Sequence, residues 1–150
     1  MNFGRPFSAR PTAVRLWYSY SAGKVTHTSS GCPLTTNDYD QFSIQVALGT
    51  WSSKKYKGSS DCPVQVNTGD KSTLYDYNVL PETIAYGKLE ESGTGSRSEW
   101  KQVTIPISYK DEAAWPTHII VSCASSKYGD YFAGCSTAKL LVDEIELIYE

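Results

Sequence analysis

The sequence predicts an all-β chain, folded as a two-sheet antiparallel β-sandwich of the jelly-roll kind. Three observations lead there. Short stretches alternate apolar and polar residues and are separated by long polar turns. Residues that suit a pleated, half-buried surface are abundant, with 11 Tyr and 4 Trp among 150 residues. No amphipathic helical pattern joins one stretch to the next, which argues against an α/β arrangement.

The elements follow in order. Residues 14–20 read as a strand with Val14, Leu16, Tyr18 and Tyr20 on one face, so that Trp17 looks outward with Arg15 and Ser19. A polar loop runs from Gly23 to Asp38. Residues 42–48 give the cleanest alternation, with Phe42, Ile44, Val46 and Leu48 inward and Ser43, Gln45 and Ala47 outward. Residues 49–58 form a polar loop carrying Trp51 and Tyr56, and an irregular stretch continues to about residue 80. Residues 83–89 are a further strand, with Gly87 marking a bulge or a close approach. Residues 100–109 read as one strand whose Pro106 belongs on an edge. Residues 117–124 are nearly all apolar and read as buried. Residues 140–149 close the chain with Ile145, Leu147 and Tyr149 on one face.

At 150 residues the chain fits one domain, which can bury roughly two-thirds of its unfolded surface. The net charge is -2, with no basic stripe, so nucleic acid and anionic membranes are poor partners. No apolar run approaches the roughly 18 residues of a membrane helix, so direct membrane insertion is not expected. Met1-Asn2-Phe3 leads straight into Gly-Arg-Pro without a signal peptide, as expected for the C-terminal fragment of a longer chain.

Cys32, Cys62, Cys123 and Cys135 allow three complete pairings. Cys32 and Cys62 sit in matching Ser-Ser-Gly-Cys-Pro and Ser-Ser-Asp-Cys-Pro surroundings. The preferred pairing is Cys32–Cys62 with Cys123–Cys135, in an oxidising compartment. The alternative is four free thiols, with Cys123 as a small core residue.

Residues 124–134, Ala-Ser-Ser-Lys-Tyr-Gly-Asp-Tyr-Phe-Ala-Gly, are the most unusual segment. Ser125, Ser126, Lys127 and Asp130 supply hydrogen-bonding groups of both signs, and Tyr128, Tyr131 and Phe132 supply flat apolar faces. A sugar ring needs that mixture, because it has an apolar face and a polar rim. The alternative is a loop that folds back, buries Tyr131 and Phe132, and caps its own backbone through Asp130. Trp17, Trp51 and Tyr56 join Ser125, Lys127, Tyr128, Asp130 and Tyr131 as carbohydrate-binding candidates. Trp100 is expected in the core, and Trp115 as a plug at the end of the sandwich.

Catalysis has weaker support. A glycosidase requires two carboxylates about 5–9.5 Å apart. Asp130, Glu99 and Asp143 are the candidates, although nothing marks them above ordinary carboxylates. A Ser-His-Asp triad would have to use His27 or His118, without any Gly-x-Ser-x-Gly turn. Phosphate-binding loops are missing. Asp143 interrupts an apolar run, so it needs a partner: a Ca²⁺ ion, or Arg5, Arg10 or Arg15 if the terminal strands pair.

Several of these segments together resemble a known family. They are Gly4-Arg-Pro-Phe-Ser-Ala-Arg-Pro, Trp17-Tyr-Ser-Tyr, Tyr86-Gly87, Trp100 with Ile-Pro-Ile-Ser-Tyr after it, Pro116-Thr-His-Ile-Ile-Val, residues 124–134, and Leu141-Val-Asp-Glu-Ile-Glu-Leu-Ile-Tyr. They are similar to the "putative carbohydrate metabolism domain" family of surface and periplasmic proteins of gut Bacteroidetes. Residues 23–80, with Cys32 and Cys62, fit the pattern less well, and the family often has Gly where Cys135 stands. The resemblance implies a jelly roll like the galactose-binding sugar modules, with an upstream immunoglobulin-like domain and a lipidated N-terminus. It implies an extracytoplasmic place, in the periplasm or at the outer-membrane surface. It also implies a structural calcium held by Asp143. The expected function is a noncatalytic glycan-binding module for carbohydrate utilisation. The alternatives are a glycoside hydrolase or a structural domain that orients a partner protein.

Overall fold

The expected alternations become strands in the computed structural model, which describes residues 1–149. In chain order they are β1 (Asn2–Phe3), β2 (Arg5–Pro6), β3 (Ala13–Ser21), β4 (Gln41–Gly49), β5 (Val64–Gln65), β6 (Thr83–Ser92), β7 (Lys101–Pro106), β8 (Ser108–Tyr109), β9 (His118–Ala124) and β10 (Lys139–Ile148). One short helix, α1 (Ser53–Tyr56), follows β4. Among the described residues no helix is long and apolar enough to cross a membrane.

Two sheets carry the fold. One has the order β2-β9-β4-β6-β8 and the other β10-β3-β7, and every pairing is antiparallel. The chain changes sheet between β2 and β3, β3 and β4, β6 and β7, β7 and β8, and β9 and β10. This is the expected two-sheet sandwich.

The inter-sheet core is the inward faces of β3 and β4. Val14, Leu16, Tyr18 and Tyr20 meet Phe42, Ile44, Val46 and Leu48. The Phe42 ring packs against Tyr18 at 5.2 Å and edge-on to Tyr20 at 4.8 Å. Burying each such side chain contributes about 1.5–3 kcal/mol. The alternation of two residues per repeat is therefore held by a large energetic preference for one face.

A second core lies on the opposite side of the five-stranded sheet. Ala47 and Ile120 face outward there and are covered by Trp51, Tyr56, Val64 and Tyr77 from residues 50–80. The irregular stretch is thus a cover packed on half of that sheet face. Periodicity could not reveal it, because its apolar residues follow neither helical nor strand spacing.

Several expectations change at the edges. Residues 100–109 form two strands: Pro106 ends β7, an edge strand, and β8 then joins the other sheet. Gly87 provides the close approach, since a Cβ there would lie 2.4 Å from the Pro106 carbonyl oxygen. Strand β9 is less buried than its composition implied. Val121 and Cys123 share the inward face with Val46 and Ile44, yet both are exposed. The three-stranded sheet is narrower than the five-stranded one and leaves that part of β9 uncovered. In β10 a bulge between Asp143 and Glu146 resets the alternation. Leu147 reaches the core while Ile145 and Tyr149 stay exposed.

All four cysteines are free thiols, so neither expected disulfide is present. Cys32 follows Ser29, whose hydroxyl donates to the Tyr131 carbonyl, near the loop after β9. Cys62 closes the turn in which the Ser60 carbonyl meets His118 Nε2 at 3.1 Å, at the start of β9. The length of a strand, about 20 Å, separates the two ends of β9. Cys135 is buried in the inter-sheet core, whereas Cys123 is exposed.

Candidate functional site

The second core covers only part of the outer face of the five-stranded sheet. Beyond it, Gln45 of β4 and Tyr86, Lys88 and Glu90 of β6 remain open as the floor of a groove. Register places them side by side, with Gln45 opposite Lys88, Ala47 opposite Tyr86 and Ser43 opposite Glu90. One wall is Leu74, Tyr75 and Asp76 at the end of the covering segment. The other is Lys127, Tyr128, Asp130 and Tyr131 from the loop after β9. The groove encloses about 430 Å³, within the range of small-ligand sites.

The floor is a connected polar network. The Tyr86 hydroxyl donates to Gln45 Oε1 at 3.0 Å, and Gln45 Nε2 donates to Ser43 Oγ at 3.1 Å. Ser43 Oγ reaches Glu90 Oε1 at 3.4 Å. Lys127 Nζ and Lys88 Nζ both donate to Glu90 Oε2, at 2.8 and 3.2 Å. Burial alone would raise the Glu90 pKa, but the hydrogen bonds and charges of Lys127 and Lys88 outweigh it and hold the carboxyl below its usual value. The hydrogen bond to Glu90 raises the Lys127 pKa in return. Burial, followed by the charges of Asp76 and Glu90, pushes the Tyr86 phenol up to about 12, so it stays a donor at neutral pH.

The β9 loop is held at both ends. The Ser125 carbonyl accepts from the Tyr20 hydroxyl at 2.8 Å, and Ser126 Oγ donates to the buried Asp40 Oδ2 at 2.6 Å. The Lys127 N–H donates to the Gln41 carbonyl at 2.7 Å. A single 3₁₀ turn, Gly129–Tyr131, then brings the Tyr128 and Tyr131 rings together edge-on at 6.1 Å. Lys127 Nζ lies 5.2 Å from the Tyr128 ring centre. Asp130 Oδ1 is buried at the groove wall with no hydrogen-bond partner among the described residues. Asp130 therefore does not cap its own loop through that oxygen, and it leaves one acceptor for a donor entering the groove.

Four of the sequence candidates thus meet in one place: Lys127, Tyr128, Asp130 and Tyr131. Ser125 stands beside them but is not among the lining residues. Trp51 and Tyr56 are not among the residues that line the groove. They are 2% and 3% exposed and fill the second core, with Trp51 edge-on to Tyr77 at 6.2 Å. Trp17 faces outward, as its strand position requires, but on the other sheet. Phe132 is 73% exposed instead of buried, because its backbone turns left-handed at φ +52° and throws the ring outward. Trp100 is 43% exposed instead of in the core, because β7 starts only at Lys101. Trp115 is exposed under the Arg10 guanidinium, 5.6 Å away, and plugs nothing.

The carboxylate candidates separate as well. Asp130 lines the groove, whereas Asp143 and the Glu99–Trp100 segment lie at the three-stranded sheet. Asp143 is exposed, so it needs no buried partner, and Arg15 pairs with Glu146 instead, at 2.8 Å. Among the described residues no three His, Cys, Asp or Glu side chains gather as a metal cluster. Gln45, Tyr75, Asp76, Tyr86, Lys88 and Glu90 were missed as site residues. The outward position of Gln45 was visible in the alternation of 42–48, but only register puts Lys88 and Glu90 beside it.

Two solved structures share this fold over the whole chain. One is a protein of Bacteroides thetaiotaomicron VPI-5482 described as a putative glycoside hydrolase, at 22% identity and a TM-score of 0.67. The other, from Bacteroides vulgatus ATCC 8482 and described in the same words, has 17% identity and a TM-score of 0.65. The present chain spans 41% and 56% of their lengths. No curated protein sequence matches it. A family model matches residues 1–148, and the chain belongs to that family, the Putative carbohydrate metabolism domain.

Proposed function

We propose that this domain is a noncatalytic glycan-binding module and that the groove between residues 74–76 and 127–131 is its site. The observation that carries the reading is the convergence of four tyrosines with amide, carboxylate and ammonium groups in one open groove. Tyr75, Tyr86, Tyr128 and Tyr131 offer apolar faces with polar edges, and Gln45, Asp130, Lys88 and Lys127 offer directed hydrogen bonds. Family membership supports a carbohydrate-related role.

Glu90 argues against the general-acid role alone, since a glycosidase's nucleophile or base is itself an ionised carboxylate. A general acid must carry a proton near neutral pH, and Glu90 is held ionised by two lysines. Asp76 and Asp130 are the remaining carboxylates of the groove, and a hydrolase reading would use Asp130, whose Oδ1 lacks a partner among the described residues. The two similar structures are larger proteins, so any hydrolysis that they perform need not reside in the shared part. In this proposal the domain acts outside the cytoplasm, in a cell-envelope lipoprotein, behind an immunoglobulin-like domain.

A glycan array with the purified domain and its Tyr128→Ala and Asp130→Asn variants tests the reading. Binding that Tyr128→Ala weakens, with no release of sugar by the wild type, supports it. Absence of any glycan ligand sinks it. Release of sugar that stops with Asp130→Asn replaces it by the hydrolase.

A further inference from the structure

The outer face of the three-stranded sheet carries a second arrangement, on the opposite side of the sandwich from the groove. Trp17 lies at the centre of this face, in β3. Register sets Asp143 of β10 beside it on one side and Gln102 of β7 on the other. Trp100, just before β7, and Glu144 complete a shallow cavity of about 300 Å³ lined by Trp17, Trp100, Asp143 and Glu144.

Two features distinguish it from an ordinary solvated face. The first is backbone strain. Glu144 has φ +49°, in the left-handed region that non-glycine residues rarely enter. It does so inside the bulge between Asp143 and Glu146, and its N–H donates to Asp143 Oδ1 at 2.8 Å. The bulge thereby puts two successive acidic residues on the wall of one cavity. The second is charge. The guanidinium nearest in register, Arg15, is held by Glu146 through Nη2 at 2.8 Å and Nε at 3.2 Å. Among the described residues no Lys or Arg forms an ion pair with Asp143 or Glu144.

The Arg97 guanidinium, on the same face, is held by Ser19 Oγ at 3.1 Å. Two indoles beside two carboxylates that form no ion pair among the described residues complement a cation that also has an apolar face. We infer that this cavity binds a protonated amino sugar, with the pyranose ring against Trp17 or Trp100 and the ammonium between Asp143 and Glu144. The domain would then hold glycan on two opposite faces. This inference goes beyond the groove and does not depend on it.

The probe is a β-1,4-linked glucosamine pentamer, with its fully N-acetylated counterpart as control, titrated calorimetrically into the intact domain. The expected result is binding of the free amine about tenfold or more tighter than the N-acetylated form, weakening as salt rises. Asp143→Asn with Glu144→Gln removes the charges while Asn keeps the oxygen that accepts the Glu144 N–H. This double variant should lose about tenfold or more in affinity, with thermal unfolding unchanged. Tyr128→Ala, in the groove, should leave pentamer binding intact. Equal binding of both pentamers, no binding of either, or an unaffected double variant overturns the inference. Loss of pentamer binding in Tyr128→Ala alone assigns the amine to the groove, which overturns the second site and leaves the first standing. An oligolysine that competes as well as the pentamer makes the site a peptide-cation site and overturns the sugar.

Discussion

Asp40 Oδ2 accepts a hydrogen bond from Ser126 Oγ at 2.6 Å and another from the Cys135 N–H at 2.7 Å. Both ends of the groove loop are therefore tied to one carboxylate at the start of β4. Asp40 is 1% exposed, and its Oδ1 accepts from the Gln41 N–H at 2.8 Å. Asp40→Ala would leave the Ser126 hydroxyl and the Cys135 N–H without their acceptor. The expected loss is about 2–4 kcal/mol in chemical denaturation. Hydrogen exchange should rise first in residues 125–135. A variant as stable as the wild type would show that the loop is anchored elsewhere.

Trp51 tests whether the aromatic residues of the 49–58 loop serve packing or binding. Trp51→Ala empties a site that is closed over by Tyr77 and packed with Ala47, Val64 and Ile120. It should cost about 3–5 kcal/mol. Glycan affinity of the molecules that remain folded should not change. A large loss of affinity at unchanged stability would return Trp51 to the site.

What could be read in advance follows from the range of each signal. Phe42, Ile44, Val46 and Leu48 were legible because alternation is local and one face is buried at large gain. The groove loop was legible because residues 127–131 are contiguous, so their shared location needs no knowledge of register. Glu90 was not legible. Its place beside Lys127 depends on β4 lying between β6 and β9, a pairing between residues 37 positions apart. Trp51 misled for a related reason. Its polar flanks resemble an exposed loop, but the ring folds back over Gly49 onto a sheet face that the sequence does not show to be covered. The bulge at Asp143–Glu146 is of the same kind, because the alternation reads straight through it.

The cysteines give a chemical check on the fold. Alkylating the denatured protein without reductant should label all four thiols, as read by intact mass. In the folded protein Cys135 should resist labelling, because it is buried against the inter-sheet core, and Cys123 should be labelled. Recovery of a Cys32–Cys62 or Cys123–Cys135 peptide pair would require a different placement of the loops around β9.

The Glu90–Lys127 pair predicts a pH window for stability. Glu90 has a lowered pKa in the folded state, so its contribution is present above the unfolded carboxyl value of 4.5 and is lost as pH falls through the lower folded value. Lys127 has a raised pKa, so its contribution is present below the unfolded value of 10.5 and is lost as pH rises through the higher folded value. The pair therefore stabilises the groove wall across the neutral range and fails at both extremes. A double-mutant cycle with Glu90→Gln and Lys127→Met should give a coupling of about 1 kcal/mol at neutral pH. That coupling should shrink in acid. In Lys127→Met, with Lys88 as the only remaining ammonium partner among the described residues, the Glu90 carboxyl resonance should titrate at higher pH than in the wild type. An unchanged titration would mean that Lys127 does not hold Glu90 ionised, and the argument against Glu90 as a general acid would lose its main support.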